Sequence, residues 1–110
     1  MKLHCVENRV EWEGGSLEFP IRPMEAIRLD DLVLVIHDYM AYPRGQAAAN
    51  LVAYSPAGNR VWVAENPNAG GADAYVNFMS ESPLRVWNFA CYVCTIDPQT
   101  GKLMDAQFTK

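Results

Sequence analysis

The chain has 110 residues, of which 50% are hydrophobic and 11% aromatic, enough for one packed core and too apolar for a disordered chain. A formal net charge of −4, with no run of Lys or Arg anywhere, leaves no cationic surface to neutralise phosphates and excludes nucleic acid as an expected partner. A single domain spanning 1–110 is the expectation.

In chain order, short β-rich runs separated by Gly, Pro, Asn and Asp dominate, and helical periodicity is hard to find. The opening stretch MKLHCVENRVEWEGG carries strand patterns at Leu3–Val6 and Arg9–Trp12. It has no apolar h-region, since charged and polar residues return by Glu7, so no secretion signal is expected and a cytoplasmic location follows. EGGS, residues 13–16, is a tight hairpin signal leading into Ser16–Phe19. Glu25–Leu29 and Leu32–His37 flank Asp30-Asp31, a turn rather than a cation site because the spaced oxygen ligands of a calcium loop are absent. The run LVLVI, residues 32–36, is apolar on both faces and reads as a central strand covered on both sides. It is far short of the roughly 20 residues that span a bilayer, so no membrane partner is expected.

The segment YPRGQAAAN, residues 42–50, has room for one helical turn at most. Asn50–Ser55 and Arg60–Glu65 then form a hairpin about SPAGN, in which Pro56 presets φ, the Ser55 hydroxyl accepts from the turn backbone and Gly58 takes the left-handed conformation. Leu51 and Ala53 face opposite to Val52 and Tyr54, and Val61 and Val63 opposite to Trp62 and Ala64, so both strands are apolar on both faces. Ala74–Met79, Leu84–Trp87, Cys91–Ile96 and Lys102–Phe108 complete the series, the last two joined through DPQTGK. Met104, Ala106 and Phe108 alternate with Asp105 and Gln107, the pattern of a half-exposed strand. The fold class is therefore all-β, an antiparallel meander of hairpins forming a small sandwich or open sheet.

Chemistry-bearing residues are few. His37 and Asp38 end the most buried-looking strand and enter a segment holding Tyr39, Tyr42 and Arg44, a set of residue types suited to acid–base work or to holding an anion. Neighbouring strand residues point to opposite faces, so adjacency alone does not pair His37 with Asp38. ENPNAGGAD, residues 65–73, has neither the lysine nor the following helix of a phosphate-binding loop. Its Asn68 and Asp73 are candidates for recognition from a surface loop. Cys91 and Cys94 make a C-x-x-C, but in a strand the two point to opposite faces, and with Cys5 the odd count implies free thiols rather than a disulfide framework or a zinc site. No metal and no cofactor are expected. Trp62, Trp87, Phe89, Tyr75, Phe78 and Tyr92 crowd the C-terminal half, more than one small sheet hides, which makes Trp87 a candidate on an exposed apolar patch.

NLVAYSPAGNRVWVAE and YVCTIDPQTGKLMDAQF align at an offset of about 42 residues, Ser55-Pro56 on Asp97-Pro98 and Ala64 on Ala106. Repeats of this length belong to propeller blades, and the pair resembles blades of quinoprotein-type (PQQ-like) β-propellers, with a D-x-x-T-G-K turn before a strand carrying a large apolar residue. Ser55 and Asn59 replace the Asp and the Lys in the first copy, and Met104 stands opposite Trp62. A closed propeller needs about four to eight four-stranded blades, so the chain is too short to close, and neither quinone nor dehydrogenase activity carries over. The whole chain also looks like small uncharacterised bacterial β proteins with blade-like repeats.

These readings converge on a non-enzymatic protein-binding or self-associating module. The alternative is a small-ligand-binding or hydrolytic domain using the His37 to Arg44 region, which requires His37 and Arg44 in one pocket. A homo-oligomer, with a dimer favoured, is expected because strands apolar on both faces need two covers.

Overall fold

Two apolar faces along the middle of the chain decide the architecture. The computed structural model describes residues 1–68, 70 and 72–109, and among them it places eleven strands: β1 (His4–Val6), β2 (Arg9–Trp12), β3 (Gly15–Glu18), β4 (Pro23–Leu29), β5 (Leu32–His37), β6 (Leu51–Tyr54), β7 (Arg60–Val63), β8 (Tyr75–Glu81), β9 (Leu84–Asn88), β10 (Tyr92–Ile96) and β11 (Leu103–Phe108). Each corresponds to a run expected from sequence, with ends moved by a residue or two. They form three antiparallel sheets in the orders β1-β2-β3, β4-β5-β6-β7 and β11-β10-β9-β8.

The middle sheet is the filling of a three-layer stack. On one face Leu34 and Ile36 of β5, Leu51 and Ala53 of β6, and Trp62 pack against Tyr75, Leu84, Val86, Cys94 and Ile96 of the C-terminal sheet. On the other, Val33, Val35, Val52 and Tyr54 pack against Leu3 and Val10, with Cys5, Trp12, Leu17 and Phe19 partly buried beside them. Strand β5 has neighbours on both edges, β4 and β6, and Val33 to Ile36 are essentially fully buried. Each such side chain contributes about 1.5–3 kcal/mol relative to exposure. The second cover that the two-sided strands require is thus supplied by the chain's own N-terminal sheet, so a partner copy is not needed to complete the core.

The two hairpins that align in sequence occupy the same places, the third and fourth strands of their sheets. At the offset of the alignment, Val52 and Tyr54 face the N-terminal sheet while Cys94 and Ile96 face the middle one, so equivalent positions point toward the preceding layer. Their turns form as the residue types demand. The Ser55 hydroxyl accepts from Asn59 N–H (3.1 Å) and Gly58 has φ +92°. The Asp97 carboxylate accepts from Gln99 N–H (2.9 Å), and Gly101 has φ +78°.

Register shifts in both hairpins correct the simple alternation. A shift between Ala53 and Tyr54 opposite Arg60–Trp62 leaves Val61 without a partner, and one between Thr95 and Ile96 does the same to Met104. An extra residue on one strand turns its side chain out of the pleat, and Val61 and Met104 are 49% and 67% exposed. Leu103 and Ala106 take the core-facing positions of β11, and Phe108 lies edge-to-face on Tyr92 at its end. The helical turn expected within 42–50 lies earlier, as a 3₁₀ turn at Tyr39–Ala41. Asp38 starts it, its carboxylate accepting from Met40 N–H at 2.9 Å, and no such acceptor precedes the alanines. No helix among the described residues is long and apolar enough to cross a membrane.

Candidate functional site

Strand β5 delivers the chain into the segment 38–50, which crosses one end of the stack before β6 begins. The crossing is fixed by Asn50, fully buried: its side-chain amide donates to the carbonyls of His37 (2.9 Å) and Tyr75 (2.8 Å), and its oxygen accepts from Tyr75 N–H (3.0 Å). One side chain therefore ties the segment's root to the C-terminal sheet. Beside it the Asp73 carboxylate, also buried, accepts from the side-chain amides of Asn66 (2.9 Å) and Asn88 (2.8 Å), and the Asp73 carbonyl accepts from Ala48 N–H (2.8 Å). Buried polar groups persist when they are paired in this way.

Two clefts open on either side of Tyr42. The first, about 290 Å³, is walled by Tyr39, Met40, Tyr42, Arg44 and Phe89, with Asp73 at its base. Tyr39 and Phe89 meet edge-to-face with centroids 5.7 Å apart, while Met40 and Phe89 remain 64% and 52% exposed. The second, about 280 Å³, lies against the N-terminal sheet and is lined by Leu17, Glu18, Phe19, Ile21, His37, Tyr42, Val52, Tyr54 and Arg60.

His37 belongs to the second cleft and is fully committed there. Its Nδ1 lies 3.3 Å from the Ile21 carbonyl, which can only accept, so Nδ1 carries the proton and Nε2 accepts from the Tyr54 hydroxyl at 2.8 Å. Phe19 packs on both rings. Burial holds the imidazole below its ordinary pKa and nearby Arg60 pushes the same way, against the pull of the Ile21 carbonyl. Burial likewise raises the hydroxyls of Tyr54 and Tyr42, both of which feel the opposing pull of the Arg60 charge.

The residues singled out from sequence divide between these places. Tyr39, Tyr42, Arg44 and Asp73 gather in the first cleft, whereas His37 lies in the second and Asp38 is used as a turn cap. His37 and Arg44 therefore do not share a pocket, and the acid–base cluster that the hydrolytic alternative requires is not assembled. Asn68 is exposed with φ +57° and lines neither cleft, and Ala69 and Gly71 of its loop lie outside the described residues. Trp87 is half-buried on the face of β9 opposite Val86 and Asn88 and lines neither cleft. Sequence reasoning missed Met40, Tyr54, Arg60 and the role of Phe89. No spacing signal connects them, since they come from four different elements. Cys94 is buried, its thiol raised to about 11 mainly by desolvation, and no group of three or more potential metal ligands occurs among the described residues.

Fold and clefts define a three-layered all-β protein with two small binding-sized recesses that meet at Tyr42. A family model matches residues 1–108, and the chain belongs to that family, described as Domain of unknown function (DUF7957). Neither a curated protein nor a solved structure matches it.

Proposed function

We propose that the protein is a non-enzymatic interaction module whose recognition surface is the cleft between the 3₁₀ turn and Phe89. The carrying observation is the exposure of Met40 and Phe89 at its mouth, large apolar groups left in water beside a recess rather than folded into the core. Its volume of about 290 Å³ suits one or two side chains of an extended partner segment rather than a whole folded surface. Arg44, exposed on the wall, adds a donor fork for a carboxylate. The occupant we infer is a segment of a partner protein presenting a large apolar side chain next to Asp or Glu. The blade-like hairpins are read as a shared building unit and not a shared activity, supported by the equivalent facing of Val52 and Cys94.

Selection of displayed peptides on the purified protein tests this reading. The expected winners share an apolar residue flanked by an acid, and Phe89→Ala or Arg44→Ala weakens them by about tenfold or more, as for a central anchor. Winners that bind both variants as well as the wild type, or no enrichment, would overturn it. Sedimentation at low micromolar concentration identifies self-association: a mass near 12.3 kDa leaves the cleft to a different protein, whereas a mass near twice that, lost in Phe89→Ala, makes a second copy the occupant.

A further inference from the structure

The second cleft has a different chemistry, independent of the first. Among the described residues the ion pairs are Met1 with Glu81 and Arg9 with Glu11, so the Arg60 guanidinium, at the lip of a recess, has no carboxylate of its own. It lines the recess together with Tyr54 and Tyr42, and its charge acts on both hydroxyls. The Tyr54 proton is given to His37 Nε2 and the His37 Nδ1 proton to Ile21. That chain runs in one direction, inward, and leaves the Tyr54 oxygen as an acceptor for a donor in the same recess, which Arg60 also lines. The outward donors are then the N–H groups of Arg60 and the hydroxyl of Tyr42. Behind them the wall is apolar: Leu17, Phe19, Ile21 and Val52. Among the described residues, Glu18, exposed at the rim, is the one acidic side chain lining the recess.

We propose that this cleft is a binding site for a small organic monocarboxylate, its carboxylate held by Arg60 and the Tyr42 hydroxyl and its apolar body against Phe19 and Val52. One cation opposes one negative charge, and the guanidinium fork matches the two oxygens of a carboxylate. Inorganic phosphate brings more charge than one arginine offsets, has no apolar body for the wall and meets Glu18 at the rim. The volume of about 280 Å³ lies near the lower end of small-molecule sites, which limits the body to about the size of one aromatic ring. His37 acts through Tyr54 as a positioning residue and does not touch the ligand.

Titration of the full chain with benzoate, followed by NMR, tests the site. The expected result is a saturable shift of the His37, Tyr42 and Tyr54 ring resonances. Arg60→Gln weakens it about tenfold or more, and Arg85→Gln, on the outer face of β9, leaves it unchanged. Should Arg60→Gln lose its dispersed spectrum, Arg60→Lys takes its place, keeping the charge but not the fork and weakening benzoate several-fold. Benzyl alcohol, of the same shape without the charge, and inorganic phosphate are expected to bind at least about tenfold more weakly. No saturable shift up to about 10 mM, enough to reveal millimolar binding, would overturn the proposal. So would equal binding of benzyl alcohol or phosphate, or shifts centred on Tyr39 and Phe89 instead.

Discussion

Gly101→Ala isolates the contact that locks the C-terminal hairpin onto the middle sheet. Gly101 has φ +78°, and a Cβ built on it would stand 2.5 Å from Cε3 and 2.8 Å from Cδ2 of Trp62. The left-handed conformation alone costs an L-residue about 1–2 kcal/mol, and forcing a methyl against a packed ring adds about 1–3 kcal/mol. The indole has little freedom to retreat, being 7% exposed and donating its Nε1–H to the Pro98 carbonyl at 3.0 Å. The internal control is Gly58→Ala in the matching hairpin, where φ is +92° but the new Cβ meets only the Cδ2 of Leu17, at 3.2 Å, the end of a side chain that can move. Gly58→Ala should therefore show the conformational cost alone, and Gly101→Ala about 2 kcal/mol more. In urea, with slopes of about 1–3 kcal/mol/M for small domains, that difference separates the two midpoints by about 1 M. Unfolding followed by tryptophan fluorescence and by circular dichroism measures it. Coincident midpoints for the two variants would show that Trp62 does not constrain Gly101 and would refute the packing argument.

Asn50→Ala strips partners from two carbonyls and the Tyr75 N–H, each unsatisfied buried group costing about 1–3 kcal/mol, so a loss of about 3 kcal/mol or more is expected in the same urea assay; a loss under about 1 kcal/mol would mean that the 38–50 crossing is not anchored there. Because the folded His37 pKa lies below its ordinary 6.5, the unfolded chain takes up a proton that the folded one refuses. Stability is then full above pH 6.5 and falls as pH drops through that value toward the lowered folded one, a decline that His37→Gln should flatten and that a pH series of unfolding midpoints measures. Cys94, buried and raised to about 11, should react with a thiol reagent only as fast as the protein opens, after the half-buried Cys91; equal rates by mass spectrometry would contradict the burial of the β10 core face. Replacing Cys91 and Cys94 together with Ala should leave zinc content at zero before and after, and stoichiometric zinc lost in the double variant would restore a metal reading of the C-x-x-C.

The strands and turns were legible because their determinants are local. Ser55 and Asp97 accept from their own turns, Gly58 and Gly101 supply the positive φ that those turns need, and the two-sided pattern of LVLVI located the central strand before any partner was known. The same pattern could say that β5 needs two covers, but not which chain supplies the second; that depended on the N-terminal sheet folding back across Val33 and Val35. Alternation misplaced Val61 and Met104 because a bulge is a property of two paired strands, not of either sequence alone. The clefts were least legible. His37 and Arg44 are seven positions apart in the chain and were grouped for that reason, yet Tyr42 stands between their recesses, and the partners of His37 are Ile21 and Tyr54. A strand reverses its facing at every residue, and the 3₁₀ turn rotates the chain after it, so nearness along the backbone does not carry over to side chains. Sequence determined the strands, their turns and the number of faces each must bury. The stacking of three sheets, through contacts between residues far apart in the chain, decided which side chains share a cleft.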